Sequence, residues 1–184
     1  MIAWRVAIAA LSCLLLNGCL VTFKEPIPAN EAAPIPLLGD WERQDEWGDQ
    51  QYLSISRAGS NLYRARVWSE VDAEVEEPEE YGFTVSHHGR RWYVSAGLPK
   101  RMGANFAIAG FELTAKNELV IYNLDVERIL QEMDSGVLQG QPVETPEGEG
   151  VLVTSNLDKV FAYLDDQANS DVFVEVARYQ RSAE

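Results

Sequence analysis

Two clusters in this 184-residue chain have the residue types needed for chemistry. The first is acidic: Glu70, Asp72, Glu74, Glu76, Glu77, Glu79 and Glu80 put seven carboxylates into eleven residues around Pro78. A calcium loop needs about six to eight oxygens in fixed geometry and usually a glycine to turn it. This run has no glycine and no D-x-D-x-D-G pattern. It therefore reads as a solvated loop whose charges keep the neighbouring strand ends from aggregating. The second cluster is His87-His88, the only histidines. Neighbours on a strand point to opposite faces, so the pair does not chelate one ion, and no metal site is expected.

Nucleophilic motifs are missing from the sequence. It contains no G-x-S-x-G, no S-x-x-K, no glycine-rich phosphate cradle and no dinucleotide fingerprint. Paired glycosidase-type carboxylates carry little weight where acidic residues are this abundant. No cofactor and no enzymatic activity are expected. Lys and Arg number 15 against 29 Asp and Glu, a net charge of −14. That balance repels phosphate backbones and argues against nucleic acid as a partner.

The two cysteines fall close together near the start. Val6 to Leu16 is an apolar run behind Arg5, broken only by Ser12, and it closes on Leu16-Asn17-Gly18-Cys19. Eleven helical residues span only about 16 Å, roughly half a bilayer core, so the run reads as an export signal over residues 1–18. A small residue just before a cysteine, with a leucine three before it, resembles the lipobox of bacterial lipoproteins. The resemblance implies cleavage before Cys19, lipidation of its thiol and loss of Cys13 with the signal. Acyl chains buried at about 0.8 kcal/mol per methylene make such an anchor effectively permanent. Leu20 follows the cysteine where Asp would retain the protein at the inner membrane. The family's sorting rule then implies the periplasmic leaflet of an outer membrane.

The elements that must carry any site come next. Pro26, Pro28, Pro34 and Pro36 lie in a stretch with no helical or strand period. Residues 19–38 are therefore expected to form the lipidated end and an extended tether reaching up to about 55 Å. Residues 39–184 form one domain. Leu53 and Ile55 alternate with Ser54 and Ser56; Tyr63, Ala65 and Val67 alternate with Arg64 and Arg66. The same period of two recurs over 81–86 and 91–96, with turn-like separators such as His88-Gly89-Arg90 and Ala115-Lys116-Asn117. Phe106 and Ile108 share one parity while Phe111 and Leu113 share the other, which predicts a bulge at Ala109-Gly110. Val126, Ile129, Leu130 and Met133 form one helical stripe, capped by Asp125 or Asn123. Leu157, Val160, Phe161 and Leu164 form another, with Ser155 and Asp158 as a capping box. A hairpin over 141–154 and a last strand from Val172 complete the chain.

The expected fold is mainly β: a strongly bent antiparallel meander or small barrel of seven to ten strands, with two amphipathic helices near the C-terminus covering an opening or an edge. Gly39-Asp40-Trp41 at the first strand resembles the Gly-x-Trp start of lipocalins, which implies a lipocalin-like barrel whose Trp plugs its closed end. Meander parity puts the acidic run at one end with Lys100 and Arg101. The other end gathers Arg57, His87, His88, Arg90, Arg91 and Lys116, of which Arg57, His88, Arg90 and Lys116 are the candidate basic rim for an anionic group.

The leading functional expectation is a lipid-anchored, non-enzymatic module that binds a periplasmic protein or envelope component. The alternative is a lipocalin-like carrier of a small apolar ligand. A carrier needs a connected apolar cavity of roughly several hundred Å³, whereas an interaction module is filled.

Overall fold

The computed structural model describes residues 20–183 apart from 72, 73, 76, 101, 102, 146 and 147. The expected signal, Cys13 and Cys19 lie outside the described residues, as does Arg101. In chain order the strands are β1 (Val21–Phe23), β2 (Gly39–Gln44), β3 (Gln50–Gly59), β4 (Leu62–Val71), β5 (Glu74–Val75) and β6 (Glu79–His88). Next come β7 (Arg91–Gly97), β8 (Phe106–Leu113) and β9 (Glu118–Leu124), then helix α1 (Val126–Asp134). The hairpin β10 (Gly140–Thr145) and β11 (Gly148–Val153), helix α2 (Leu157–Asp165) and β12 (Phe173–Arg181) end the chain.

Strands β2, β3, β4, β6, β7, β8, β9 and β12 pair in that order and close on themselves, because β12 pairs with β2 and β8 with β9. The result is a closed, eight-stranded antiparallel barrel. Its alternation follows the sequence: Leu53, Ile55, Tyr63, Val67, Phe83 and Val85 are buried in one interior core, and the charges between them face out. At its closed end, a short 3-10 turn over Ile35–Leu37 lies under Trp41, whose indole Nε1 donates to the Leu37 carbonyl at 3.0 Å. Arg181 stacks on the Trp41 ring at 3.8 Å and donates to the carbonyls of Leu38 (2.8 Å) and Pro36. Gly39 makes room for this latch. Its φ is +116°, and a Cβ there would lie 2.7 Å from an Arg181 guanidinium nitrogen.

The bulge expected at Ala109-Gly110 is not there. β7 and β8 stay in register from Trp92↔Phe111 to Gly97↔Phe106. The apparent parity change arises because β8 is covered on both faces as far as Phe111. Phe111 belongs to the barrel core, whereas Ile108 points outward into a second core. That second core lies between the barrel wall and an outer layer. β1 pairs antiparallel with the first residues of β8 and parallel with β11, which pairs with β10, so the sheet forks at β8. Tyr93 and Ile108 of the wall meet Val21, Phe23, Ile129, Val151, Phe161 and Leu164 there.

Both helices form where their stripes predict, but they cover the barrel's flank rather than an opening. Asp125 caps α1 by accepting from the Arg128 N–H at 2.9 Å. The cap of α2 is Asn156, which accepts from Lys159 N–H at 2.9 Å. Ser155, the expected cap, instead accepts from Gln139 N–H at 2.8 Å. Its hydroxyl is used to hold the β11–α2 corner against the α1–β10 loop.

The tether expected over 19–38 is corrected from residue 20 onward. Leu20 is 7% exposed, Val21–Phe23 is a strand between β8 and β11, and Ile27 and Leu37 are buried. The proline-rich stretch is a strap down the barrel's outside. Thr84 donates to the Ile27 carbonyl at 2.6 Å, Glu31 accepts from His87 N–H at 2.8 Å, and Ala33 N–H donates to the Tyr63 hydroxyl at 2.8 Å. Proline keeps this strap extended while single apolar residues pin it, which is why it shows no period.

Two outcomes follow from these contacts. Replacing Arg181 with Ala removes the stack on Trp41 and two carbonyl bonds, and should lower stability by about 2 kcal/mol in urea unfolding. Burial between barrel and helix pushes the Tyr93 hydroxyl up to about 12, against 10.0 for a free tyrosine. The unfolded chain therefore ionises this group first. Its share of stability is intact below pH 10 and is lost as pH rises from there toward about 12. Tyr93→Phe should remove that share of the alkaline decline, read from unfolding midpoints across the window.

Candidate functional site

The barrel encloses an apolar cavity of about 160 Å³. Its space comes from small residues facing in. Ala65, Ala96, Ala107 and Ala109 take interior positions on β4, β7 and β8 beside the larger Phe83, Val94 and Phe111. Leu37 forms its floor at the closed end, and Leu20, Tyr81 and Leu98 meet at the opposite end. Asn123, near the end of β9, is the amide in an otherwise aliphatic and aromatic lining.

One step toward the open end from the Trp41–Leu53–Val67 row, β2, β3 and β4 align Arg43, Gln51 and Ser69. Arg43 turns into the barrel. Its Nε donates to Gln51 Oε1 at 2.6 Å, its Nη1 to the Val176 carbonyl at 3.3 Å, and its guanidinium lies 5.2 Å from the Tyr179 ring centre. Its Nη2 is buried without a hydrogen-bond partner. Gln51 and Ser69 are buried with it. This polar collar stands above the apolar hollow, and sequence reading missed it. Arg43 follows the Gly39-Asp40-Trp41 signature by two residues, so inward parity with Trp41 was the available signal.

The four candidate rim residues are placed as follows. Arg57, Arg90 and Lys116 are exposed in or beside the β3–β4, β6–β7 and β8–β9 turns, all at the closed end. His88 is on that end too, but its ring stacks face to face on Phe161 at 3.8 Å, and its Nε2 sits 2.9 Å from Ser86 Oγ. It is thus turned to the flank under α2. His87 faces the other way, against Trp92 at 4.8 Å. None of the four lines the barrel cavity or the surface groove beside Pro26, Arg64 and Thr84. Among the described residues, no group of acidic, histidine or cysteine side chains is arranged to hold a metal.

The acidic run is described only in part. Glu80 pairs with Arg66 at 3.1 Å and Arg64 at 3.7 Å across β4–β6, half exposed. Tyr52 stacks on Trp68 at 5.4 Å on the same outer wall, with Glu70 nearby. Burial and the neighbouring Glu70 and Glu42 raise the Tyr52 hydroxyl above its ordinary range.

The cavity falls below the several-hundred-Å³ range of drug-sized sites. It matches a dry hollow of about 150 Å³ that takes a benzene-sized guest. Large rings account for the difference: Trp41, Tyr63 and Tyr179 are fully buried and fill the closed third of the barrel. Ala109→Leu adds three carbons where Val94 and Asn123 face the void. It should abolish uptake of benzene, followed by methyl chemical shifts, while leaving the thermal midpoint unchanged or higher. Compared with family models, curated proteins and solved structures, the chain shows no significant match to any.

Proposed function

We propose that this protein is a lipid-anchored, non-enzymatic binding module of the bacterial envelope, held through Cys19, whose barrel takes a small apolar molecule or the tip of a longer acyl chain. The alanine-walled cavity of about 160 Å³ carries this reading. A barrel built only for stability gains by filling such space, since each missing methylene costs about 1 kcal/mol. The lipobox resemblance at Leu16-Asn17-Gly18-Cys19 supplies the compartment, the periplasmic leaflet of an outer membrane. A guest of about six carbons suits the volume, and its polar end, where it has one, suits the Arg43–Gln51 collar.

A second reading, docking of a periplasmic protein or envelope component on the barrel's outside, is favoured by the half-exposed Tyr52–Trp68 stack, since aromatic pairs are common anchors at interfaces.

Native mass spectrometry of the protein taken from its own membrane separates the two. A retained apolar molecule supports the carrier; a co-purifying polypeptide with an empty barrel supports the docking module. Labelled palmitate should enter the chain, and globomycin should leave the uncleaved precursor. A Cys19→Ser chain that still partitions with membranes and still incorporates palmitate would overturn the anchor.

A further inference from the structure

The geometry points to the open end of the barrel as the face that rests on the bilayer, with the mouth of the cavity turned toward the acyl chains. This inference rests on the anchor reading above and adds an orientation to it.

Consecutive Cα atoms lie about 3.8 Å apart, so residue 19 is one step from Leu20. Leu20 is buried against Tyr81 and Leu98 and lines the cavity. With Val21–Phe23 locked into the sheet and the strap pinned along the flank, no slack separates anchor from domain. A diacylglycerol on residue 19 therefore sets the open end at the membrane, not some 50 Å above it.

The loops at that end fit the same surface. Trp47, in the β2–β3 loop, is 68% exposed; Val75 on β5 is 67% exposed; Val174, at the start of β12 opposite Asn123, is 44% exposed. Tryptophan is the residue enriched at membrane interfaces. The closed end also exposes Ile35 and Leu62, but it carries no attachment point and is ringed by Arg57, Arg90 and Lys116. Charge selects the lipid. Asp45, Glu46, Asp49, Glu77 and Glu79 lie around the open end and outnumber Lys24 and Lys100 there, while Glu80 is paired with Arg66. Such a rim favours a zwitterionic bilayer over an anionic one, and the preference is screened by salt.

The acylated protein in phosphatidylethanolamine–phosphatidylcholine vesicles with doxyl-labelled chains provides the test. The mature chain's sole cysteine sulfur is consumed by the lipid, so Glu46→Cys and Lys116→Cys each give one site for a thiol fluorophore. Quenching at position 46 should exceed that at position 116 severalfold, and should weaken when phosphatidylglycerol replaces the zwitterionic lipid at low salt. Equal or reversed quenching in protein that floats with the vesicles overturns the orientation while leaving the anchor intact. Protein that does not float overturns both.

Discussion

From Phe106 to Phe111 strand β8 is covered on both faces, Glu112 reaching water near its end, and the rest of the molecule is arranged around that constraint. Its inward side chains, Ala107, Ala109 and Phe111, belong to the barrel; its outward Ile108 belongs to the layer of β1, β11 and the helices. A strand between two cores cannot alternate apolar with polar. From Phe106 to Ala109 it alternates large with small instead. The small side leaves the hollow, and the large side seats the outer layer. The fork in the sheet follows, since β8 spends one edge on β1 at its start and on β9 at its end.

This double burial decides what could be read from the sequence. Strands β3, β4 and β6 each have a wet face over most of their length, so a period of two marks them without ambiguity, and β7 keeps that period although its outward Tyr93 and Ser95 are buried. Both helices and the β10–β11 hairpin were equally plain. β8 misled because hydrophobicity alone carries no parity when both sides are dry; Phe106 and Ile108 look like an inward pair and face out. The strap misled for the opposite reason. It holds on through isolated residues, Ile27 and Leu37, and through bonds to distant partners: the Thr84 hydroxyl donates to the Ile27 carbonyl, and the Tyr63 hydroxyl accepts from Ala33 N–H. No local pattern encodes a contact whose other half lies 30 or 57 residues away.

The candidate site was legible in one respect and hidden in another. Gly39-Asp40-Trp41 marked the closed end, yet the partner that completes it, Arg181, sits at the far end of the chain. The hollow depends on which of many alanines share a level in the barrel, a property of strand stagger and not of composition. Parity did bring Arg57, Arg90 and Lys116 to one end, but each belongs to a separate turn, and His88 was drawn aside by Phe161. Elsewhere the surface settles its charges locally: Arg178 reaches Glu118 at 2.8 Å and Glu175 at 2.9 Å, and bonds from Gln180 and Thr114, with that arginine, hold the Glu118 carboxyl below its usual range.

The strap has a mechanical consequence. Because β1 is clamped by a strand on either side before the chain descends to the Ile35–Leu37 turn, tension drawn through residue 20 is met first by the hydrogen bonds of three short residues and not by a compliant spring. Drag on the domain is passed straight to the wall that encloses the hollow. An extensible leader would absorb such a pull; a stiff one turns every tug on the lipid into a strain on β8.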